Sequence, residues 1–390
     1  MPRQIVAVEK EVIKWARESI GLSEHAAAQA LKVTAETLRA WEAGEDAPGI
    51  GQLRRMAMVY KRPVTALMQP DIPPGAPVPK DFRTVGGIAP KLSVDAYLAI
   101  REAQRIQMVI TDLVEDVPEI MPPVRLSFYS SEDSAAQSGL LSRNEFGAGS
   151  DDYKTQIGFG GINHAYNAWR TRLQLAGILV LAKLMHPMDC RGFSLHEGEY
   201  PVIVVNSREI DQAKIFTLIH EYAHLTRHQG GICQERDAEA NEKWCNQFAA
   251  SFLVPEDWLR WNVDAHVTST AEVARLAKRF KVSRHVIALR LKELELGDAN
   301  LYAMIKQEDD AHAFVPPTDT GDEEKEEERG GPNQAQRRLT EVGVGYAGAI
   351  LAALDRGVID LREAGEYLDI GPASFEPLTQ RVKETRERYG

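Results

Sequence analysis

Ile215-Phe216-Thr217-Leu218-Ile219-His220-Glu221-Tyr222-Ala223-His224 is the stretch whose reading decides the fold. An apolar run leads into the pattern H-E-x-x-H. On a helix, positions i and i+4 share a face, so the imidazoles of His220 and His224 can reach one metal ion with Glu221 beside them. Upstream, Pro201-Val202-Ile203-Val204-Val205-Asn206 combines β-branched residues with a closing Asn and predicts a buried strand. The competing reading, a surface helix with two solvated histidines, gives that strand and the apolar lead-in no purpose.

Strand, short polar connection and motif-bearing helix together form the frame that a zincin-type metallopeptidase needs. A catalytic zinc takes three protein ligands and keeps one position open. Glu242 is the best third ligand, near the start of a helix read over 237–253 and ended by Pro255. Asn246, four residues on, shares its face and is expected to hydrogen-bond a ligand histidine and fix its tautomer. Glu235, Asp237 and Glu239 are rival carboxylates, and Cys233 and Cys245 are rival thiols. His228 is excluded, because ligands on three successive turns of a straight helix cannot converge on one ion. Glu221 is expected to take a proton from the attacking water and pass it to the leaving amine. Peptide-bond hydrolysis by a gluzincin-like endopeptidase suits this set best.

The rest of the chain sets the bounds. Its 390 residues favour two or three domains, and 44% hydrophobic with 26% charged residues is ordinary for a globular protein. A net charge of -11 argues against a nucleic-acid coat, though not against one local nucleic-acid-binding module. Three scattered cysteines, no apolar signal core and no membrane-length apolar run predict a cytoplasmic protein. Further strands are read over 177–182 and 192–195, and further helices over 92–117, 164–173, 270–280 and 283–294. The stretch 118–158 gives no clear period. The expected class is α+β, divided into an all-α module over 1–70, a Pro-rich connector and helical or irregular region over 71–155, and a metal-bearing domain with a small sheet over 156–296. An acidic linker over 297–336, around Glu323–Glu328, and a helical region over 337–390 complete it.

In the first 70 residues Val8, Val12 and Trp15 fall on one helical face. Ser23 caps a helix to Leu31, Lys32-Val33 make a tight turn, and Thr34 caps a helix ended by Gly44. Trp41 is expected in the core.

These residues resemble two known families. Phe216 to His224 with Glu242-x-x-Cys245-Asn246-x-Phe248-Ala249-Ala250-x-x-Leu253-x-Pro255, the preceding strand with Asn206, and Gly192-Phe193-Ser194 resemble the ImmA/IrrE metallopeptidases. The resemblance implies a Zn2+ ion held by His220, His224 and Glu242, with Glu221 as the base. It also implies an Xre-type repressor as the protein substrate, in stress or mobile-element gene control. Leu22-Ser23, Lys32-Val33-Thr34 and Thr37-Leu38-Arg39-Ala40-Trp41-Glu42-Ala43-Gly44 resemble the Xre-type helix-turn-helix. That implies DNA as a partner, with Thr34, Glu36, Thr37 and Arg39 at base edges, Arg54 and Arg55 at phosphates, and a homodimer. The exposed face departs from a good reading surface, offering Glu36 where Gln, Asn or Arg would serve better. Two rivals follow: a partner-docking helical module, and a transcription factor whose peptidase-like domain is a ligand sensor without proteolysis.

Overall fold

The computed structural model describes residues 8–60, 62, 64–72, 92–130, 132–146, 156–158, 160–186, 190–227, 238–312 and 334–390. Most of the Pro-rich connector, the acidic run Glu323–Glu328, and His228, Cys233, Glu235 and Asp237 lie outside these residues. The chain divides into two compact units, residues 1–104 with 184–190, and residues 105–183 with 191–390. The class is α+β: among the described residues helices predominate, with one small sheet.

The first unit holds short helices at Lys10–Glu18, Glu24–Leu31, Ala35–Ala43, Ile50–Val59 and Val64–Leu67. Each stop and start has a local cause. The Ser23 hydroxyl accepts from Ala26 N–H at 3.2 Å, and the Thr34 hydroxyl accepts from Thr37 N–H at 3.2 Å. Lys32 and Gly44 end their helices in the left-handed conformation, with φ of 56° and 76°. Ile13, Ala16, Leu31, Leu38, Trp41 and Leu53 form the core. A buried, bidentate ion pair joins the first and third helices: Arg17 donates to Glu42 at 2.7 and 2.8 Å.

The second unit is built on three strands, β1 (Leu179–Lys183), β2 (Gly192–Leu195) and β3 (Val202–Asn206), in the order β1-β3-β2. β3 pairs parallel with β1 and antiparallel with β2, and all five of its residues are buried. A strand covered on both faces reads as an unbroken apolar run, as this one does. Asn206 ends it, its side-chain carbonyl accepting from Arg208 N–H at 3.1 Å.

The motif helix, Asp211–Arg227, packs on β2, β3 and the helix Ala238–Leu253 that carries Glu242. The stretch without a clear period contains a helix, Ala135–Glu145, lying against the Glu242 helix. Gly139 is required there, since a Cβ would come within 2.5 Å of Phe248 O. The helices Thr270–Phe280 and Arg284–Glu293 meet as the first unit's second and third helices do: a left-handed Lys281 (φ 56°), then Val282, then the cap Ser283.

The last helices, Gln334–Asp355, Leu361–Leu368 and Phe375–Tyr389, belong to the same compact unit as the sheet. Gln334–Asp355 packs on β1 and on the helix Ile162–Leu175. Arg170 bridges them, donating to Val180 O at 2.8 Å and to Thr340 O at 2.7 Å. At the kink of that helix Gly343 has φ 74°, and Gly345 N–H donates to the Gln174 side-chain carbonyl at 2.8 Å. A contact boundary therefore does not fall at residue 296.

Candidate metal centre

The motif helix presents His220 and His224 on one face, and the helix start at Ala238 delivers Glu242 to the same point. Nε2 of His220 and Nε2 of His224 lie 3.1 Å apart. Glu242 Oε2 is 3.3 Å from His220 Nε2, and Glu242 Oε1 is 3.2 Å from His224 Nε2. Atoms about 2.0–2.1 Å from one zinc ion at tetrahedral angles are about 3.3 Å apart, so the triangle has the size of one face of that coordination sphere. Among the described residues these three form the group able to hold an ion.

The electrostatics agree. Burial opposes a charged His224, but hydrogen bonds to Cys245 and Glu242 outweigh it and raise its pKa well above the ordinary histidine value. Hydrogen bonds from His220 and His224 hold Glu242 far below the usual carboxylate range. The site thus favours positive charge between its three ligand atoms, which a proton or a cation can supply. Cys245 is buried, and burial pushes its thiol up, so it stands against His224 as a neutral group. Glu239 is turned outward, paired with Lys243 at 2.7 Å.

Glu221 is buried beside the triangle. Its position depends on Gly192 of β2: a Cβ there would meet Thr217 Cγ2 at 2.6 Å, Val204 O at 2.8 Å and Glu221 Cγ at 3.3 Å. Phe216, one turn before His220, stacks on its ring with centroids 6.1 Å apart.

One expectation is corrected. The amide that meets a ligand histidine is Asn241, 3.4 Å from His224 Nδ1 and held by Arg227 Nε at 3.0 Å. Asn246 is exposed and lines a cleft with Phe216 instead. The two helices run antiparallel, so four residues forward from Glu242 is one turn backward along the motif helix, which sets Asn246 at the level of Phe216. Sequence spacing offered no signal for Asn241 beyond its place next to Glu242.

The candidate DNA contacts lie around the helix Ala35–Ala43 of the first unit. Thr34, Glu36, Arg39 and Arg54 are exposed and Thr37 is half-buried. Arg39 Nε is paired with Glu24 at 3.0 Å, and Arg55 Nη1 is tied to Leu31 O at 3.0 Å, which braces the fold rather than reaching outward. Hydrogen bonds from its own backbone N–H and from Thr34 lower the pKa of Glu36. Residues 8–72 carry nine Lys and Arg against nine Asp and Glu, so the unit has no net basic charge.

Comparison with known families decides the identity of both parts. Residues 173–292 match the peptidase family model described as IrrE N-terminal-like domain, and residues 13–67 match the helix-turn-helix model. The chain joins a segment that matches the helix-turn-helix model to a segment that matches the IrrE N-terminal-like domain model. The His220–His224–Glu242 triangle falls inside the IrrE-like part, which is a metallopeptidase-type domain and implies a metal ion. The helix-turn-helix part supports DNA binding and transcription regulation. No curated protein matches the chain. No helix among the described residues is long and apolar enough to cross a membrane.

Proposed function

We propose that this chain is a zinc-dependent cytoplasmic endopeptidase that acts on an Xre-type repressor and regulates transcription through its own helix-turn-helix. One observation carries the reading: a triangle of two imidazole nitrogens and a carboxylate, with edges of 3.1–3.3 Å, beside a buried glutamate. His220, His224 and Glu242 hold the ion, which when bound acts as a Lewis acid on the scissile carbonyl and acidifies water.

The chain's own groups do the rest. Glu221 carboxylate takes a proton from the attacking water, holds it, and delivers it to the nitrogen of the departing amine. Gly192 lets β2 come close enough to fix that carboxylate. Phe216 stacks on one ring, while Asn241 and Cys245 meet the other, so the imidazoles keep their orientation before substrate arrives. The helix-turn-helix brings Thr34, Glu36, Thr37, Arg39 and Arg54 to DNA.

Metal analysis of the purified full chain, with cleavage of a co-encoded repressor by wild type and Glu221→Gln, tests the reading. We expect zinc in both proteins and cleavage only by wild type. A zinc-loaded wild type that cuts no repressor would leave the sensor reading in its place.

A further inference from the structure

A cleft of about 1060 Å³ opens in the second unit one helical turn from the metal triangle. Both ligand-bearing helices continue into it: Phe216 lies four residues before His220, and Asn246 four residues after Glu242. A residue four positions along a helix lies about 5–6 Å away on the same face. An extended peptide advances about 3.3 Å per residue, so a chain crossing the triangle reaches the cleft within two residues. The floor is apolar, formed by Ala213, Phe216, Ala250, Ala277 and Val282, with Leu289 half-exposed at the side.

The rim is cationic, in a protein whose net charge is -11. Arg191, Lys278 and Lys281 line it, and none has a side-chain hydrogen bond or ion-pair partner among the described residues. Two carboxylates also line it. Asp309 is already bound to Arg284 and faces His285 at 3.8 Å, and Arg284 additionally holds Glu308 at 2.6 Å. Glu209 is the remaining acid. Three unpaired cations therefore face one carboxylate without an ion-pair partner, around an apolar floor one helical turn from the metal triangle.

We propose that this cleft is a specificity subsite for an acidic stretch of the substrate polypeptide, with Arg191, Lys278 and Lys281 pairing with Asp or Glu side chains a few residues from the bond to be cut. The proposal rests on the peptidase reading above for the word substrate, but the binding it describes is measurable without cleavage. A nucleic acid is the other polyanion such a rim could attract. The concave apolar floor fits a peptide better than a duplex. Here the end of Arg284–Glu293 that would enter a DNA groove in a helix-turn-helix lines this cleft, with Arg284 already paired.

The test uses zinc-loaded full-length Glu221→Gln protein, so bound peptide is not consumed. Two fluorescein-labelled decapeptides, alike except for three Glu in one and three Gln in the other, are titrated by anisotropy at low salt. We expect the Glu peptide to bind about tenfold more tightly, a preference that shrinks as salt screens the charges. Lys278→Glu with Lys281→Asn should abolish the preference while zinc content and melting temperature stay the same. Asn suits position 281 because it tolerates the left-handed backbone found there. Lys278→Glu with Arg191→Glu, which leaves that turn untouched, should abolish it equally. Equal binding of the two peptides, or a preference unmoved by both double variants, overturns the assignment. So does a DNA duplex whose binding depends on these cations when peptide binding does not. If wild type cuts nothing but the acidic preference persists, the peptidase reading fails and the subsite stands. If wild type cuts peptides without regard to Glu or Gln, the subsite fails alone.

Discussion

Gly192→Ala is the smallest change that should separate metal binding from catalysis. The added methyl would sit 2.6 Å from Thr217 Cγ2 and 2.8 Å from Val204 O. Ordinary contacts between carbon atoms are about 3.5–4.0 Å, so the Thr217 methyl is about 1 Å too close. Val204 O cannot retreat, because its strand is held in register from both sides. The Thr217 and Glu221 side chains must turn away from β2 instead, while the motif helix keeps its place against the Glu242 helix. Overpacking of this kind costs about 1–3 kcal/mol, which for a unit of this size corresponds to roughly 2–6 °C in melting temperature. Glu221 Cγ, 3.3 Å from the new methyl, is pushed aside with its carboxylate. A displacement near 1 Å at a catalytic group costs on the order of 10²-fold in rate. The three nearest atoms belong to Thr217, Val204 and Glu221 and none to a ligand, so zinc should remain near one per chain. Thermal melting, zinc content and repressor cleavage read the three effects separately. Gly51→Ala is the control: its Cβ meets nothing within 4 Å, and it should stabilise by about 0.5–1 kcal/mol. A Gly192→Ala variant with unchanged melting and cleavage would refute the argument, and so would one that loses zinc while melting normally.

Chelation should lower the melting temperature of the second unit, because an ion bound only to the folded state adds to folding free energy, and His224→Ala should carry no zinc. The raised pKa of His224 means that protons compete with zinc for its ring, so zinc uptake should weaken as pH falls, which zinc titrations at several pH values can read. Arg17→Met leaves Glu42 buried without its partner and should cost about 3–5 kcal/mol, unfolding the first unit and abolishing DNA binding while zinc stays bound. Arg39→Ala should weaken full-chain binding to DNA upstream of its gene, and Glu24→Gln, which releases Arg39, should strengthen it at low salt; gel shifts showing no response to either would remove Arg39 from the interface.

Signals carried by one element were legible in the sequence. H-E-x-x-H, the apolar β3 and the Lys32-Val33-Thr34 turn each state their conformation within a few residues. What escaped depends on a second element. The helix Ala135–Glu145 buries Ala135, Ser138, Gly139 and Ser142 and leaves Leu140 and Leu141 exposed, so its pattern shows no apolar stripe. Small residues face inward because Phe248 and Phe252 of the neighbouring helix fill the space. Asn246 was placed beside a ligand histidine because periodicity describes one helix and not the antiparallel sense of two. Arg170 reads as a surface residue, yet it is buried against carbonyls 170 and 171 positions away.

The cover over β1 carries a consequence for how the protein is made. Leu179, Val180 and Leu181 are fully buried, and the helix Gln334–Asp355 packs on their strand. Synthesis runs from the N-terminus, so the helix-turn-helix has all its residues long before that helix leaves the ribosome. A nascent chain completes its helix-turn-helix well before β1 is covered. A chain ended at residue 292 would keep the helix-turn-helix and the metal triangle but leave the apolar residues of β1 without that cover.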